Sequence, residues 1–352
     1  MIAMSGGVDS SVAAWILKER GHECIGAMMK LYGGAEESES GCCSLADALD
    51  ARAVAYRLNI PFYMLNFTSD FSEQVIDRFV RAYKNGCTPN PCIDCNRFMK
   101  FERFLARALE IGCEKISTGH YARIEQANGR YMLKKGADES KDQSYVLYAM
   151  TQDQLARTLF PLGELTKSEV REIAAKQGLI NAKKRDSQDI CFAPSGDYAG
   201  FIAKHARITP DRGRFIDTDG NDLGEHKGII HYTVGQRKGL GISAANPLYV
   251  CGVNTDSNTV VVGPQDKLFA KTLIAHDINL IPMERIDSPL RMKAKIRYRH
   301  QEQPAVVWQT DEDTLRVEFD EPQRAITNGQ AVVLYDGDMV VGGGTIGDNK
   351  TS

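Results

Sequence analysis

The 352-residue chain lacks any run of about 18 apolar residues, the length that indicates a membrane-spanning helix. No signal peptide precedes its first predicted strand, and it shows neither internal repeats nor low-complexity segments. We therefore expect neither a membrane protein nor a secreted one. The length allows two or three domains, and 43% hydrophobic and 25% charged residues are typical of a soluble globular protein.

The chain also carries little net charge. A formal value of −3 gives no indication of a nucleic-acid-binding protein. Nine cysteines without an export signal indicate a reducing compartment, in which thiols serve metal binding or catalysis more often than cross-linking. We expect a cytoplasmic protein, with a removed organelle-targeting segment as the alternative.

The most informative stretch is SGGVDSS at residues 5–11, between an apolar lead and a helix-like run. This order predicts a strand, a tight glycine turn and a helix, whose first N–H groups and partial positive charge suit a phosphate. The turn lacks the lysine of the kinase-type loop. It has instead the S-G-G-x-D-S pattern of the pyrophosphatase-type loop. Enzymes that resemble it in this loop cleave ATP between the α- and β-phosphates. An ordinary glycine-rich turn with a serine cap is the alternative.

Short apolar strands alternate with helical patterns up to about residue 195. This alternation predicts a parallel sheet covered on both faces, with ligands at the carboxyl ends of its strands. The SGG turn, the segment after Met29 and the Gly119-His120 turn should then meet in one crevice. The predicted strands lie at 2–4, 24–29, 62–66 and 115–118, and the predicted helices at 10–20, 46–58, 71–83, 98–110 and 167–177.

The rest of the chain is rich in turns and short strands. Predicted strands lie at 228–234, 247–253, 259–262, 305–309, 314–319, 330–335 and 339–342, with an Asp336-Gly337 hairpin turn before the last. We predict an α/β catalytic domain at 1–200, a small β-rich linking domain at 201–268 and a C-terminal β-barrel at 269–352.

Two cysteine-bearing segments are candidates for chemistry. Cys92-x-x-Cys95 lies in TPNPCIDCNR, where two prolines predict a rigid extended loop, and the spacing suits zinc, iron–sulfur or redox chemistry. Cys191 follows three cations at 183–185, and cations near a thiol lower its pKa. The other cysteines are predicted to be structural or are left unassigned: Cys24, Cys113 and Cys251 as small core residues, Cys42 and Cys43 as a structural pair, and Cys87 without a role.

Basic residues occupy every second position from 291 to 299. Period-two alternation predicts one strand with five cations on one face. An anionic partner, or a solvated face opposite acidic residues, would explain it. His120 is expected near the nucleotide, as a structural or a catalytic residue, and the glycine-rich residues 236–241 are expected to form a turn.

Seven motifs together resemble the tRNA-specific 2-thiouridylase family over essentially the whole chain. They are SGGVDSS, TPNPCIDCN, TGHYAR, KDQSYVLY, DSQDICF, YTVGQRKGLGI and RYRH. Other enzymes with the first motif do not share the rest. The resemblance implies an α/β domain of the PP-loop type and ATP-dependent 2-thiolation of the wobble uridine of tRNA.

The resemblance also implies roles for individual residues. ATP would be bound by Ala3, Met4, Ser5, Gly6, Gly7, Val8, Asp9, Ser10, Met29 and Gly119. The target uridine would be faced by Asn90, Pro91 and Cys92, and other parts of the tRNA by Lys141, Asp142, Gln143, Arg297 and Tyr298. Cys95 would be the nucleophile, and Cys191 would carry a persulfide.

The C2 carbonyl of uracil has no leaving group, so its oxygen would first attack the α-phosphate of ATP, and AMP could then leave. Mg²⁺ and the loop N–H groups would stabilise the phosphate charge, with Asp9 as a candidate Mg²⁺ ligand or merely a helix N-terminal acid. The outer sulfur of the Cys191 persulfide would attack C2, or Cys95 would release it as hydrosulfide, leaving a Cys95–Cys191 disulfide. A cysteine desulfurase or a sulfur-relay protein would supply the sulfur.

Cys92 departs from the family pattern, in which most members have aspartate. A thiol is a poorer general acid or base at neutral pH. With Cys95 and Cys191, however, Cys92 offers three soft ligands, a set that can hold a [4Fe–4S] cluster with one open iron. Cluster-bound sulfide and persulfide are both retained as sulfur sources.

Two other functions stay open at this point. An adenylating amidotransferase-type ligase would share the ATP loop but would give no role to the three cysteines. A non-enzymatic RNA-binding protein with a structural metal at the C-x-x-C would consume no ATP.

Overall fold

The computed structural model describes residues 1–32, 44–186, 190–193 and 196–347. Contacts divide the chain into two compact units. The first contains Met1–Ile76, Pro91–Pro194 and Asp336–Val341, and the second contains Asp77–Asn90, Ser195–Tyr335 and Gly342–Ser352. Within the described ranges, no helix is both long enough and apolar enough to cross a membrane.

A five-stranded parallel sheet organises the first unit, as the sequence predicts. The strands of the unit are β1 (Ile2–Ala3), β2 (Gly26–Lys30), β3 (Phe62–Asn66), β4 (Ile116–Ser117), β5 (Ala122–Ala127), β6 (Arg130–Lys135) and β7 (Thr158–Leu159). The sheet order is β3-β2-β1-β4-β7, with every pair parallel. Because β1 is central, the residues that follow it lie at the middle of the carboxyl edge.

Helices connect these strands. Three are labelled here: α1 (Val8–Glu19), α2 (Leu45–Arg57) and α3 (Lys167–Lys176). The other helical segments of the unit are Thr68–Phe71, Ser72–Ile76, Pro91–Asp94, Cys95–Arg103, Phe104–Glu110, Ser144–Leu147 and Gln152–Ala156. Helix α1 packs against α3, and both present small buried residues, Ala13 and Ala174, which allow the close approach.

The predicted extended loop around the two cysteines is wrong. Residues 91–110, here called the cysteine helix, are helical throughout, with a π-helical stretch at Cys95–Arg103. Pro91 occupies the first helical position, where a missing N–H costs nothing and a fixed φ favours the helix. Proline therefore starts this helix instead of preventing it.

The antiparallel hairpin of β5 and β6 is absent from the sequence-based prediction. Its turn is Asn128-Gly129, and both residues have positive φ, 53° and 77°. Asn-Gly is the strongest short-range hairpin signal because both positions tolerate the left-handed conformation. The signal was therefore present in the sequence.

The second unit contains two β-structures and the helices Asp77–Lys84, Tyr198–Ala206, Ile229–His231 and Gln265–Leu268. Its strands are β8 (Gly213–Asp217), β9 (Asp222–His226), β10 (Tyr249–Asn254), β11 (Thr259–Gly263), β12 (Phe269–Leu280), β13 (Leu290–Lys295), β14 (Gln303–Asp311), β15 (Thr314–Arg324), β16 (Ala331–Asp336) and β17 (Met339–Gly347), whose first residues belong to the first unit. A four-stranded sheet has the order β10-β11-β8-β9.

The remaining strands run in the order β12-β15-β14-β13-β16-β17, and β17 pairs again with β12. This pairing closes the predicted β-barrel and removes its edges. Two predictions in this unit are wrong in detail. The expected strand at 228–234 is a short 3₁₀ helix, Ile229–His231, and the basic strand ends at Lys295, because residues 297–300 form a turn.

Candidate active site

The loop after β1 is the centre of the site. Gly6 has φ +74°, and a Cβ there would collide with the backbone carbonyl of Asp47 at the start of α2, so only glycine fits. The N-cap of α1, Gly7, offers no side-chain hydrogen bond to the first turn. The first N–H groups of this 12-residue helix therefore receive no side-chain cap, which suits an anion.

Hydroxyl groups hold the loop in shape. Ser10 Oγ and Ser11 Oγ both donate to Gly7 O, at 3.1 and 3.0 Å, and Ser5 N donates to Ser10 Oγ at 3.2 Å. A Cβ on Gly119 would come within 2.8 Å of Ser10 N, so the Gly119 turn packs directly on the first turn of α1. Gly119 thus adjoins the loop, as expected for a crevice at the carboxyl ends of β1 and β4.

Asp9, on the first turn of α1, is held by two side chains. Lys167 Nζ lies 2.7 Å from Asp9 Oδ1 and 2.8 Å from Oδ2. Tyr121 OH donates to Oδ1 at 2.8 Å. Burial, and then the Asp9 charge, raise the pKa of Tyr121, so that phenol stays protonated and donates. The carboxylate predicted to bind Mg²⁺ is already ion-paired in this structure.

The same lysine also contacts Asp186. Lys167 Nζ lies 2.8 Å from Asp186 Oδ1, Arg171 Nη2 lies 2.9 Å from that oxygen, and Lys141 Nζ lies 2.9 Å from Oδ2. Burial acts to raise the pKa of Asp186, but the lysines outweigh it and lower the pKa below the usual 3.8. Asp186 is therefore a carboxylate held by three cations.

Residues 141–143 were predicted to touch tRNA. In the structure, Asp142 Oδ1 accepts from Gly136 N and Ser144 N, both at 3.1 Å. Gln143 Oε1 accepts from Tyr121 N at 3.0 Å. These bonds shape the turn that precedes the segment Ser144–Leu147, and the role in tRNA binding stays a prediction.

The cysteine helix carries Cys92 on an exposed position and Cys95 on a half-buried one. Asn96, which is buried, donates from Nδ2 to Val146 O at 3.0 Å and so joins this helix to the segment Ser144–Leu147. Cys95 begins the π-helical stretch. Such wider turns occur frequently at functional sites because they displace side chains from the regular helical positions.

Cys191 is half-buried in the same unit. Its neighbour Phe192 packs edge-on against Phe71, with 5.9 Å between ring centroids. The segment of Phe71 packs against the cysteine helix. Both cysteine-bearing segments therefore belong to one packed region of the first unit.

The described cysteines form no site for a single metal ion. In the part of the chain that the structure describes, no group of three or more His, Cys, Asp or Glu side chains could hold a metal ion. The predicted cluster ligands Cys92, Cys95 and Cys191 stay a prediction. Cys42 and Cys43 lie outside the described residues, Cys24 is buried as predicted, and Cys113 and Cys251 are half-buried.

His120 is buried beside the loop. Its Nδ1 lies 2.7 Å from Thr118 Oγ1, its Nε2 lies 3.5 Å from Lys100 Nζ, and its ring contacts Phe101 and Phe160. Burial, and then the Lys100 charge, hold the pKa of His120 well below the usual 6.5. A neutral, packed imidazole with satisfied partners favours the structural alternative.

Comparison with known proteins agrees with the motifs. Protein-family models match residues 1–195 (tRNA methyl transferase HUP domain), 199–264 (tRNA methyl transferase PRC-barrel domain) and 270–346 (Aminomethyltransferase beta-barrel domain). The tRNA-specific 2-thiouridylase MnmA of Clostridioides difficile is 52% identical over 350 residues, 98% of this chain and 97% of that protein. The protein of the same name from Clostridium acetobutylicum is 50% identical over 349 residues, 98% of each chain.

The chain belongs to the tRNA-specific 2-thiouridylase family. This membership confirms the predicted family, fold class and enzyme class, a sulfur-transferring, tRNA-modifying enzyme. Among solved structures, the U34-tRNA thiolase NcsA of Methanococcus maripaludis with its [4Fe-4S] cluster aligns with a TM-score of 0.34 and 16% identity, over 58% of this chain and 64% of that one. A likeness of that size carries no argument here.

The residues predicted to contact the uridine and the tRNA are divided between the two units, and their roles stay predictions. Pro91 and Cys92 belong to the first unit, and Asn90 to the second. In the second unit, Arg297 Nη2 donates to Arg324 O at 2.8 Å, and Tyr298 is exposed with Lys295 Nζ 5.8 Å from its ring centroid.

The basic strand fits both of its predicted explanations in part. Arg291 Nη1 donates to Asp320 Oδ1 at 3.0 Å, as the solvated-face explanation requires. Lys293 is exposed two residues further along, and Met292 and Ala294, on either side of it, are buried. The alternation of inward and outward residues is confirmed, and the anionic partner stays a prediction.

Sequence reasoning missed several members of the first-unit site. It did not name Asn181, and it gave no contact in the site to Lys167 or to three residues of segments that it did name, Tyr121, Lys184 and Asp186. Thr166-x-x-Glu169 is a capping box, and the predicted helix does begin at Lys167. Its partner Asp9 was not predictable, because it lies 158 positions away.

Proposed function

We propose that this protein thiolates the wobble uridine of tRNA at C2, with ATP as the activating substrate. The chief support is that the SGGVDSS loop and both cysteine-bearing segments belong to one compact unit. Family membership along 98% of the chain adds to this support. A ligase acting on a small carboxylate would have no use for two cysteine segments in the same unit as its ATP loop.

The nucleotide end of the proposed site is the loop at residues 5–11. The first turn of α1 would hold the phosphates through backbone N–H groups, with Gly6 and Gly7 allowing close approach. Mg²⁺ bound with ATP would neutralise charge on the phosphates. Asp9 is the loop carboxylate within reach of such an ion, and Lys167 already balances its charge.

The sulfur end uses two residues in turn. The outer sulfur of a Cys191 persulfide attacks C2 of the adenylated uridine, and the C2–O bond breaks as AMP leaves. Cys95 thiolate then attacks Cys191 Sγ, which breaks the S–S bond, leaves sulfur on C2 and forms a Cys95–Cys191 disulfide. Two electrons from an external thiol reductant restore the enzyme. The persulfide comes from a cysteine desulfurase or a sulfur-relay protein.

We propose the persulfide route in preference to a [4Fe–4S] cluster. The persulfide route requires only two cysteines, Cys95 and Cys191, and among the described residues no group of three or more His, Cys, Asp or Glu side chains could hold a metal ion. Anaerobic purification followed by iron and acid-labile sulfide analysis tests this preference. Stoichiometric iron and sulfide bound through Cys92 would overturn it.

The decisive experiment supplies unmodified tRNA, ATP, Mg²⁺ and a persulfide donor, and measures AMP and RNA nucleosides by mass spectrometry. The wild-type protein should form 2-thiouridine together with AMP. Cys95→Ser and Cys191→Ser should abolish 2-thiouridine. Cys113→Ser, a half-buried thiol of the same unit, should not.

The alternatives make different products. AMP without modified RNA would favour an adenylating ligase acting on another substrate. Neither product, with tRNA still bound, would favour an RNA-binding protein without catalysis. Either result would overturn the proposed thiolation.

A further inference from the structure

Lys167 is a charged side chain in an unusual place. Only 11% of its side chain is exposed, and its ammonium makes contacts of 2.7 to 2.8 Å with two carboxylates, Asp9 and Asp186. Removing a lysine from water is costly unless several close partners compensate it. A buried lysine shared between two carboxylates is therefore a specific arrangement and not an incidental surface pair.

The two carboxylates belong to different functional segments. Asp9 is part of the ATP loop, while Asp186 lies five positions before Cys191 in the sequence. Lys167 itself begins α3, and the capping box of Thr166 and Glu169 fixes where that helix starts. The first residue of α3, Lys167, thus lies between Asp9 of the ATP loop and Asp186, which precedes Cys191 in the sequence.

Residues 181–186, here called the anchor segment, have two further attachments. Asn181, which is buried, donates from Nδ2 to Gly6 O at 2.9 Å and to Ser11 Oγ at 2.8 Å. Lys184 Nζ lies 2.6 Å from both Asp47 Oδ1 and Asp50 Oδ2 on α2. The anchor segment is thus attached to the loop, to the helix beside it and, through Asp186, to Lys167.

We propose that Lys167 is a positioning residue that sets the Cys191 segment in register with the ATP loop. Its pairing with Asp186 brings the sulfur carrier to the carbon that the ATP of that loop activates. This inference depends on the proposed function for its setting. It assigns positioning roles to Lys167, which lies outside the quoted motifs, and to Asp186, the first residue of DSQDICF.

Asp186→Asn tests the two contacts of Lys167 separately. It weakens the ion pair of Lys167 with residue 186, which precedes Cys191, and leaves the Lys167–Asp9 pair in place. We expect 2-thiouridine formation to fall by about 10-fold to 100-fold, because small misplacements of reacting groups have effects of that size. AMP formation with tRNA should fall by less than about 3-fold, which also shows that the variant is folded.

Lys167→Met removes both contacts, so AMP and 2-thiouridine should fall together. The double variant Lys167→Met/Asp186→Asn should form no less 2-thiouridine than Lys167→Met alone, because the two residues act through one interaction. Lys176→Met, an exposed lysine on the same helix, is the matched control and should behave as wild type. Asp186→Glu should recover part of the lost 2-thiouridine.

A second readout does not depend on tRNA modification. The rate at which diamide forms the Cys95–Cys191 disulfide, followed by peptide mass spectrometry, reports how often the two sulfurs meet. Asp186→Asn should slow it by about the same factor as 2-thiouridine formation. Wild-type rates of both processes in Asp186→Asn would overturn the proposal. A wild-type protein that forms no 2-thiouridine would overturn the proposed function instead, and the disulfide rates would still test the positioning.

Discussion

Two lysines, Lys167 in the first unit and Lys293 in the second, have opposite surroundings. In the first unit, Lys167 is buried and contacts two carboxylates, and neighbouring cations share one of them. In the barrel of the second unit, Lys293 is exposed, and Arg291 has 63% of its side chain exposed even though it pairs with Asp320. Buried ion pairs fix the positions of their side chains at a cost in desolvation. Exposed ion pairs contribute little to stability, and their charges stay accessible to a partner.

The contrast separates two uses of charge. In the first unit, the ion pairs of Lys167 with Asp9 and Asp186 hold the ATP loop and the anchor segment in one arrangement. Charges of the basic strand can respond to an anion, because water already solvates them. The same residue types thus serve positioning in one place and recognition in the other, and burial decides which.

The largest expected difference in stability is between two lysine substitutions. Lys167→Met should lower the free energy of unfolding by about 3 kcal/mol, because it leaves Asp9 and Asp186 without their shared cation. Lys293→Met should change it by less than about 0.5 kcal/mol. Urea unfolding of both variants measures the difference, and equal effects would contradict the contrast.

Two glycines allow a similar comparison of backbone. Gly6→Ala should lower the free energy of unfolding by about 2 kcal/mol, because alanine is strained in the left-handed conformation and its Cβ would collide with the Asp47 carbonyl. Gly220 in the second unit also has positive φ, but nothing lies within 4 Å of an added Cβ. Gly220→Ala should therefore cost about 1 kcal/mol from strain alone. Thermal unfolding distinguishes the two, and ATP binding should be lost only in Gly6→Ala.

The Asp186 network predicts a smaller effect that depends on pH. Its carboxyl has a lowered pKa in the folded state, so its stabilisation is fully present above the unfolded value and is lost as pH falls through the folded one. The stability difference between wild type and Asp186→Asn should therefore be constant near neutral pH and shrink below pH 3.8. Urea unfolding across that range tests it, and a difference that grows on acidification would contradict the assignment.

The smallest effect concerns tRNA binding by the basic strand. If Lys293 neutralises one phosphate, Lys293→Ala should reduce the slope of log affinity against log salt by about 0.7 to 0.9. The fold should be unaffected. Filter binding at several salt concentrations measures the slope, and an unchanged slope would leave only the solvated-face explanation.

Local signals accounted for much of the fold. The strand Phe62–Asn66 lies where the alternation of apolar runs predicts it, and α3 begins at the predicted residue. Errors arose where one residue type supports two structures. Pro91 starts a helix that was predicted as a loop, and Ile229–His231 is helical although its residues favour a strand. Nearby residues alone do not decide such cases.

The division of the chain into three domains, and the roles assigned to individual ATP- and tRNA-binding residues, stay predictions. The candidate site shows why sequence motifs alone do not give a mechanism. SGGVDSS predicts a phosphate loop from its own seven residues, because glycine conformation and helix N–H groups are local properties. That Asp9 is ion-paired depends on Lys167, which no spacing rule connects to it.

The amino-acid sequence by itself determined the class of fold, and it predicted the phosphate-binding turn and the two segments with reactive cysteines, because each follows from periodicity or from a few adjacent residues. Only the tertiary structure decided that Lys167 joins Asp9 to Asp186 and that the anchor segment is attached to the ATP loop. The physical reason is that a buried charge takes its partners from whichever segments the packed core brings within 3 Å or so, whatever their distance along the chain.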